Sequence, residues 1–253
     1  MYLLAGFLVG ACVGITGVGG GSLMTPILIL LFGKSAATAV GTDLLYAAIT
    51  KMAGTAVHGL NRTVDWGVVL KLASGSVPAA ALTIVVLSHL GEASPEVTRA
   101  ISVVLGAMLL VTSATLFLRR PRALDTHARR QLSPAIQTLA TVAFGAVVGM
   151  LVSVTSVGAG AIGVTVLMLL YPRLSLMRIV ATDIAHAIPL TLVAGIGHWV
   201  IGSVDGVMLF SLCLGSIPGV ALASRFAYRL PETFVRFVLA TILFILGSRL
   251  VVG

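Results

Sequence analysis

Two carboxylates stand inside apolar stretches of this sequence: Asp43 in AVGTDLLYA (Ala39 to Ala47) and Asp183 in IVATDIAHA (Ile179 to Ala187). An ionisable group inside a membrane helix costs about 2.5–3.5 kcal/mol on insertion scales, so it faces the protein interior and marks an ion or proton path. Asp43 and Asp183 are therefore candidate proton-coupling sites. The structural alternative is that each accepts hydrogen bonds from backbone amides left free by a broken helix. The preceding residues, Thr42 and Thr182, can donate a hydroxyl to a bound oxyanion or bond to their own helix. Lys51 is the basic residue nearest the middle of any apolar stretch. It lies about 12 Å along the helix from Asp43, too far for direct pairing. It could neutralise an anionic substrate or pair with a residue of another helix. His186 is a further candidate for proton transfer or anion contact, against the plainer reading of a hydrogen-bonded core histidine.

The second constellation is glycine-rich. GITGVGGGSLMTP, Gly14 to Pro26, carries five glycines in its first eight residues, too many for an uninterrupted helix. It is not a nucleotide loop: Ser22 follows Gly21 directly with no Gly-Lys-Ser/Thr ending, and no strand precedes it. In a membrane, a broken helix is tolerated where its freed amides line a cavity or are buried in protein. The arm starting near Ser22 points its positive dipole end at the break, which makes Gly19, Gly20, Gly21 and Ser22 candidate anion ligands. A weaker copy, SVTSVGAGAIGVT (Ser153 to Thr165), supplies Ser156, Gly158 and Gly160. The alternative is that the glycines only allow helices to pack closely.

These residues need helices in a bilayer to position them. Of 253 residues, 58% are hydrophobic and 9% charged, against about 25% charged in a soluble domain. Apolar runs of spanning length recur, continuous and not alternating, so the chain reads as a polytopic helical membrane protein. The net charge of +8 belongs to membrane topology and not to nucleic acid. Cys12 and Cys213 imply neither a disulfide framework nor a metal site, and no cofactor is expected. The amino-terminal stretch lacks the features of a removable signal.

The chain is a duplication. At an offset of 140, Thr42-Asp43 matches Thr182-Asp183, His58 matches His198, Val64-Asp65 matches Val204-Asp205, and GSVP (Gly75 to Pro78) matches GSIP (Gly215 to Pro218). At 139, the two glycine breaks align. Residues 1–118 form repeat 1, 119–134 an arginine-rich cytoplasmic linker and 135–253 repeat 2. Each repeat opens with a glycine-interrupted segment (3–32, 136–171). Three uninterrupted segments follow, at 36–60, 66–88 and 97–118, then at 175–200, 206–225 and 233–251. With the linker in the cytoplasm, re-entrant hairpins put Arg62, Lys71, Arg173, Arg178, Arg225, Arg229 and Arg236 inside. They leave Lys34, Arg99 and Arg249 outside. Full crossings would scatter these charges, so the positive-inside rule favours re-entry. Three crossings per repeat make the repeats inverted, with a site near the midplane. The arm before the second break is near a full span, longer than a half-membrane hairpin requires. Asp65 and Asp205 sit where helix N-caps belong.

GITGVGGGSLMTPILILLFG, AVGTDLLYAAITKMAGTAVHG and VDWGVVLKLASGSVP, with the second-repeat echoes SVGAGAIGV, IVATDIAHAIPLTLVAGIGHW and LGSIPG, resemble the TauE/SafE family of sulfite and organosulfur anion exporters. The resemblance implies a multi-pass inner-membrane transporter of small sulfur-containing anions such as sulfite, thiosulfate or a sulfonate.

The expectation is thus an all-α protein of two inverted repeats, each a glycine-broken re-entrant hairpin plus three transmembrane helices. It would bind a small anion at its glycine breaks with help from Thr42, Thr182 and Lys51, use protons as partner, and leave room for a homodimer. The rival is an intramembrane enzyme with Asp43 and Asp183 as a dyad, which needs the carboxylates close enough to share a proton. A cation channel ranks last, since the chain has only eight acidic residues to line a pore.

Overall fold

The computed structural model describes residues 1–16, 21–60, 63–90, 95–118, 133–158, 160–226 and 232–252. The described residues are helical apart from short connections, with ten helices: α1 (Tyr2–Thr16), α2 (Gly21–Leu30), α3 (Ala36–Leu60), α4 (Trp66–Leu90), α5 (Pro95–Leu118), α6 (Pro134–Thr155), α7 (Ala161–Leu170), α8 (Leu176–Val200), α9 (Gly206–Phe226) and α10 (Glu232–Val252). The order short–short–long–long–long repeats, except that α6 has 22 residues where α1 has 15. Six helices (α4, α5, α6, α8, α9 and α10) are long and apolar enough to cross a membrane. Their outward faces carry exposed side chains such as Leu70, Leu82, Phe210 and Phe234, suited to lipid.

α1 and α2 fold back on each other. The rings of Tyr2, at the start of α1, and Phe32, just past α2, stack with centroids 4.8 Å apart. In the second hairpin, Thr141 and the hydroxyl of Tyr171 meet at 2.9 Å, and Gln137 Nε2 donates to the Leu170 carbonyl at 2.5 Å. Thr141 and Tyr171 answer Tyr2 and Phe32 at the 139-residue offset. The extra length of α6 is therefore an overhang, residues 134–140, beyond a hairpin of the same depth as the first.

Helix directions follow from which residues meet. α3 and α8 are antiparallel: Gly195 of α8 packs against Leu45 of α3, and Gly41 packs against His198. α5 and α10 are antiparallel too, with Ser113 Oγ donating to the Ala240 carbonyl at 2.7 Å and Phe117 edge-on to Phe237 at 5.4 Å. α1 runs parallel to α9, and α6 parallel to α4. These two contacts are so close that they need glycine. A Cβ on Gly10 would lie 2.7 Å from Ser216 Cα, and one on Gly149 would lie 2.8 Å from Ser76 Cα. The first helix of each half thus packs on the fourth helix of the other half.

α3 and α8 form the centre. Residues 39–48 of α3 are all buried, as are Ala181, Thr182, Asp183 and 185–187 of α8. The largest apolar cluster gathers Met24 and Leu28 of α2, Leu105 and Leu109 of α5, Met208 and Leu212 of α9 and Leu243 of α10 around Tyr46 of α3. α4 and α9 run through Pro78 and Pro218 without ending.

Candidate functional site

The antiparallel register of α3 and α8 sets the axial positions of the charged groups. With Leu45 beside Gly195, Asp183 is level with the last turn of α3, roughly 20 Å from Asp43 along the axis. Lys51 lies at a level between them, half-buried. Among the described residues Lys51 makes no salt bridge. Both carboxylates are enclosed, Asp43 at 0% and Asp183 at 4% exposure, so neither is open to either side.

Asp43 faces α2 and the end of α6. Thr25 Oγ1, in α2, donates to its Oδ2 at 2.5 Å. Ser156, the C-cap of α6, stands beside the other oxygen. The two are not in hydrogen-bonding geometry: Asp43 Oδ1 and Ser156 Oγ are both buried with no partner among the described residues. A buried polar atom without a partner costs about 1–3 kcal/mol, so two that face each other mark a place for a proton, a water or a ligand oxygen.

Asp183 has a different seat. Its carboxylate accepts from the backbone of Gly160, at the start of α7. It lies flat against Gly163 in the first turn, where an added Cβ would stand 3.0 Å from its Cγ. The positive end of α7 and its free amides suit a carboxylate.

The second break joins these two seats. Ser156 (φ 59°), Gly158 (φ 134°) and Gly160 (φ 120°) all adopt left-handed backbone. That conformation lets the chain leave α6 beside Asp43 and enter α7 beside Asp183 within five residues. Thr155 steadies the turn by accepting from Val157 N–H at 3.1 Å. In the first break Gly19 and Gly20 lie outside the described residues, Gly21 begins α2, and Ser22 is buried.

The threonines beside the carboxylates are engaged elsewhere. Thr42 Oγ1 accepts the Asp205 N–H at 3.1 Å, and Thr182 Oγ1 accepts the Asp65 N–H at 2.9 Å. Each hydroxyl keeps its own proton for a further bond. Asp65 and Asp205 cap α4 and α9, as their positions imply: Val68 N–H donates to Asp65 Oδ1 at 3.2 Å and Met208 N–H to Asp205 Oδ1 at 3.0 Å. His186 is buried and shares a 2.8 Å hydrogen bond with Ser76 Oγ of α4, the arrangement of a satisfied core histidine. His198 Nε2 donates to the Ser153 carbonyl at 2.9 Å. The side chain of His58 lies outside the described residues.

The profile of the family described as "Sulfite exporter TauE/SafE" matches residues 2–250. The chain belongs to the TauE/SafE family. It is 39% identical over 252 residues to a protein of Bacillus subtilis (strain 168) described as "Probable membrane transporter protein YjnA", covering 98% of each chain. It is 27% identical over 240 residues to "Probable membrane transporter protein YdhB" of the same organism, covering 93% of each. No solved structure matches. As a TauE/SafE protein the chain is a multi-pass membrane transporter and not an enzyme. The roughly 20 Å between the levels of Asp43 and Asp183 agrees, since a dyad shares one proton across a few ångströms.

Sequence reasoning missed Thr25, the nearest partner of Asp43. It also missed the cross-repeat bonds of Thr42 and Thr182 and the seat that Gly163 makes for Asp183. One signal for Thr25 was present: a polar residue in the second turn of an otherwise apolar arm, just past the break. Gly163 was visible as the last glycine of the second run, but its neighbour was not.

Proposed function

We propose that this protein is a secondary transporter that exports a small sulfur-containing oxyanion, such as sulfite, thiosulfate or a sulfonate, across the inner membrane, coupled to protons. Its two repeats, 1–118 and 135–253, are inverted, and each hairpin re-enters the membrane. The antiparallel packing of the equivalent helices α3 and α8, and of α5 and α10, supports inversion. The meeting of Tyr2 with Phe32 and of Thr141 with Tyr171 supports re-entry.

The observation that carries the reading is the pair of enclosed carboxylates on α3 and α8, with Lys51 at a level between them and the second glycine break running from one to the other. The family's printed description supplies the class of anion. Substrate oxygens accept from Lys51 and from amides around Gly19 to Ser22 and Ser156 to Gly160, with the Thr42 and Thr182 hydroxyls as further donors. An anion cannot enter beside two ionised carboxylates, because the repulsion of like charges is large where water is excluded. At least one of Asp43 and Asp183 therefore takes up a proton as the anion binds, which couples the two fluxes. His186, bonded to Ser76, is a third candidate on the proton path.

The test is flux in proteoliposomes. The purified protein is expected to move sulfite, thiosulfate or sulfoacetate, faster when a proton gradient is imposed. Absence of flux for all three anions, with and without the gradient, overturns the proposal.

A further inference from the structure

Asp65 and Asp205, the capping residues of α4 and α9, each make three contacts at a seam between the halves. Oδ1 of each caps its own helix. The N–H of each goes to a threonine of the other half, Thr182 or Thr42. Oδ2 of each pairs with a cation of the other half: Lys34 Nζ with Asp205 at 3.0 Å, and Arg178 with Asp65 at 3.4 Å. Lys34 precedes α3 and Asp65 follows it, so the two pairs stand at opposite ends of a 25-residue helix, about 37 Å apart.

The acids answer each other in the duplication, but the bases do not. Lys34 lies in the loop before α3, where the second half has Arg173, which forms no salt bridge among the described residues. Arg178 lies in the first turn of α8, where the first half has Thr38. Duplication alone would have copied the base with the acid. A cation that reaches each acid from a different position points to a requirement for the pair itself. Both pairs are half-exposed, with side-chain exposures of 29% and 28% at one end and 46% and 28% at the other. Pairs of this kind contribute little, which suits contacts that break in every cycle. Each is also tied to the centre, since the threonine that holds the acid's backbone is next in sequence to Asp43 or Asp183.

We propose that Lys34–Asp205 and Arg178–Asp65 are the two end closures of the transport path, opened one at a time. The proposal rests on the transporter reading above, and adds that the two halves move against each other around the space between Asp43 and Asp183. With both pairs formed, the structure is the closed intermediate, in agreement with the enclosure of both carboxylates.

The test replaces Cys12 and Cys213 by alanine and places a reporter by Ser156→Cys. A membrane-impermeant maleimide is then applied to right-side-out and to inside-out vesicles. Lys34→Gln is expected to raise labelling about two- to fivefold from the Lys34 end only, and Arg178→Gln by a similar factor from the other end only. Lys34→Arg, which keeps the pair, stays at the parent rate. These substitutions leave the capping contacts of Asp205 and Asp65 intact, and unchanged melting temperatures are the control for folding. Labelling that rises from both sides in a single variant, or from neither side in both, overturns the proposal. Flux of sulfite, thiosulfate and sulfoacetate by the unsubstituted protein separates the two readings: absence of all three defeats the proposed substrate class and leaves the labelling comparison to stand on its own.

Discussion

Asp43 and Asp183 stand at matching positions of the two half-sequences, yet the two halves hold them by different chemistry. A hydroxyl group, Thr25 Oγ1, holds Asp43, while a second hydroxyl, on Ser156, waits unpaired beside it. Asp183 is held by the backbone at the start of α7 and lies against bare glycine. A hydroxyl can donate to a carboxylate or accept from a carboxylic acid, so the Asp43 seat accommodates both protonation states. A backbone N–H only donates, so the Gly160 N–H offers the Asp183 carboxyl no acceptor for a proton. The physical lesson is that neighbours give one residue type two settings: Asp43 suits a group that gains and loses a proton, and Asp183 a carboxyl group tied to the backbone at a helix N-terminus.

Four experiments break or sharpen this contrast. The largest effect is expected for Gly163→Ala, because its Cβ has no room beside the Asp183 carboxylate and overpacking costs about 1–3 kcal/mol. Thiosulfate flux should fall at least about tenfold, with a lower melting temperature; normal flux would mean the seat is dispensable. Next come the neutral isosteres. Asp43→Asn should flatten the dependence of flux on pH, whereas Asp183→Asn should lower flux about tenfold at every pH and keep the shape of the curve. Identical profiles would dissolve the distinction. Thr25→Val removes a hydrogen bond to a carboxyl group, worth about 1.5–3 kcal/mol when the partner is charged. It should shift the pH midpoint of flux in the wild-type background and leave the flattened profile of Asp43→Asn unchanged.

The smallest effect lies at the bundle ends. The Asp205 carboxyl is held below the usual carboxylate range, first by the Met208 N–H and then by Lys34. Lys34 is raised by its hydrogen bond to Asp205, with the Tyr2 ring 5.8 Å away. A depressed acid contributes its closure in full above the ordinary carboxylate range and loses it as pH falls through the lowered value. Mild acid should leave the Lys34 end shut to maleimide, and stronger acid should open it. Opening already near neutral pH would show that another group governs that end.

Much of this architecture was legible beforehand. The six uninterrupted segments appear within a few residues of their expected limits, because continuous apolar runs bounded by Gly, Pro and charge leave few alternatives. Ser156, Gly158 and Gly160 were legible for the same reason, since a left-handed turn selects small residues. What stayed hidden was partnership across the halves. Nothing in the spacing of Thr42 marks Asp205 as its donor, and a threonine among Leu, Met, Pro and Ile, as Thr25 is, gives no periodic signal of the face it presents. The long arm of α6 looked like a discrepancy until Thr141 met Tyr171 and its first turns became overhang. Contacts set by the docking of distant helices depend on shape along whole surfaces, which local patterns do not encode.

The glycine-tight pairs α1–α9 and α4–α6 also govern how the protein is assembled. α1 ends at Thr16 and its partner does not begin until Gly206, so at ordinary synthesis speeds the first hairpin waits roughly 10–40 s for the surface that completes it. During that interval the small-residue face of α1, with Gly6 and Gly10, is uncovered within the bilayer. α4 waits a shorter time for α6. The two halves therefore mature together, each supplying the missing wall of the other. A substitution that slows α9, far along the chain, would first be felt as an unprotected amino-terminal helix.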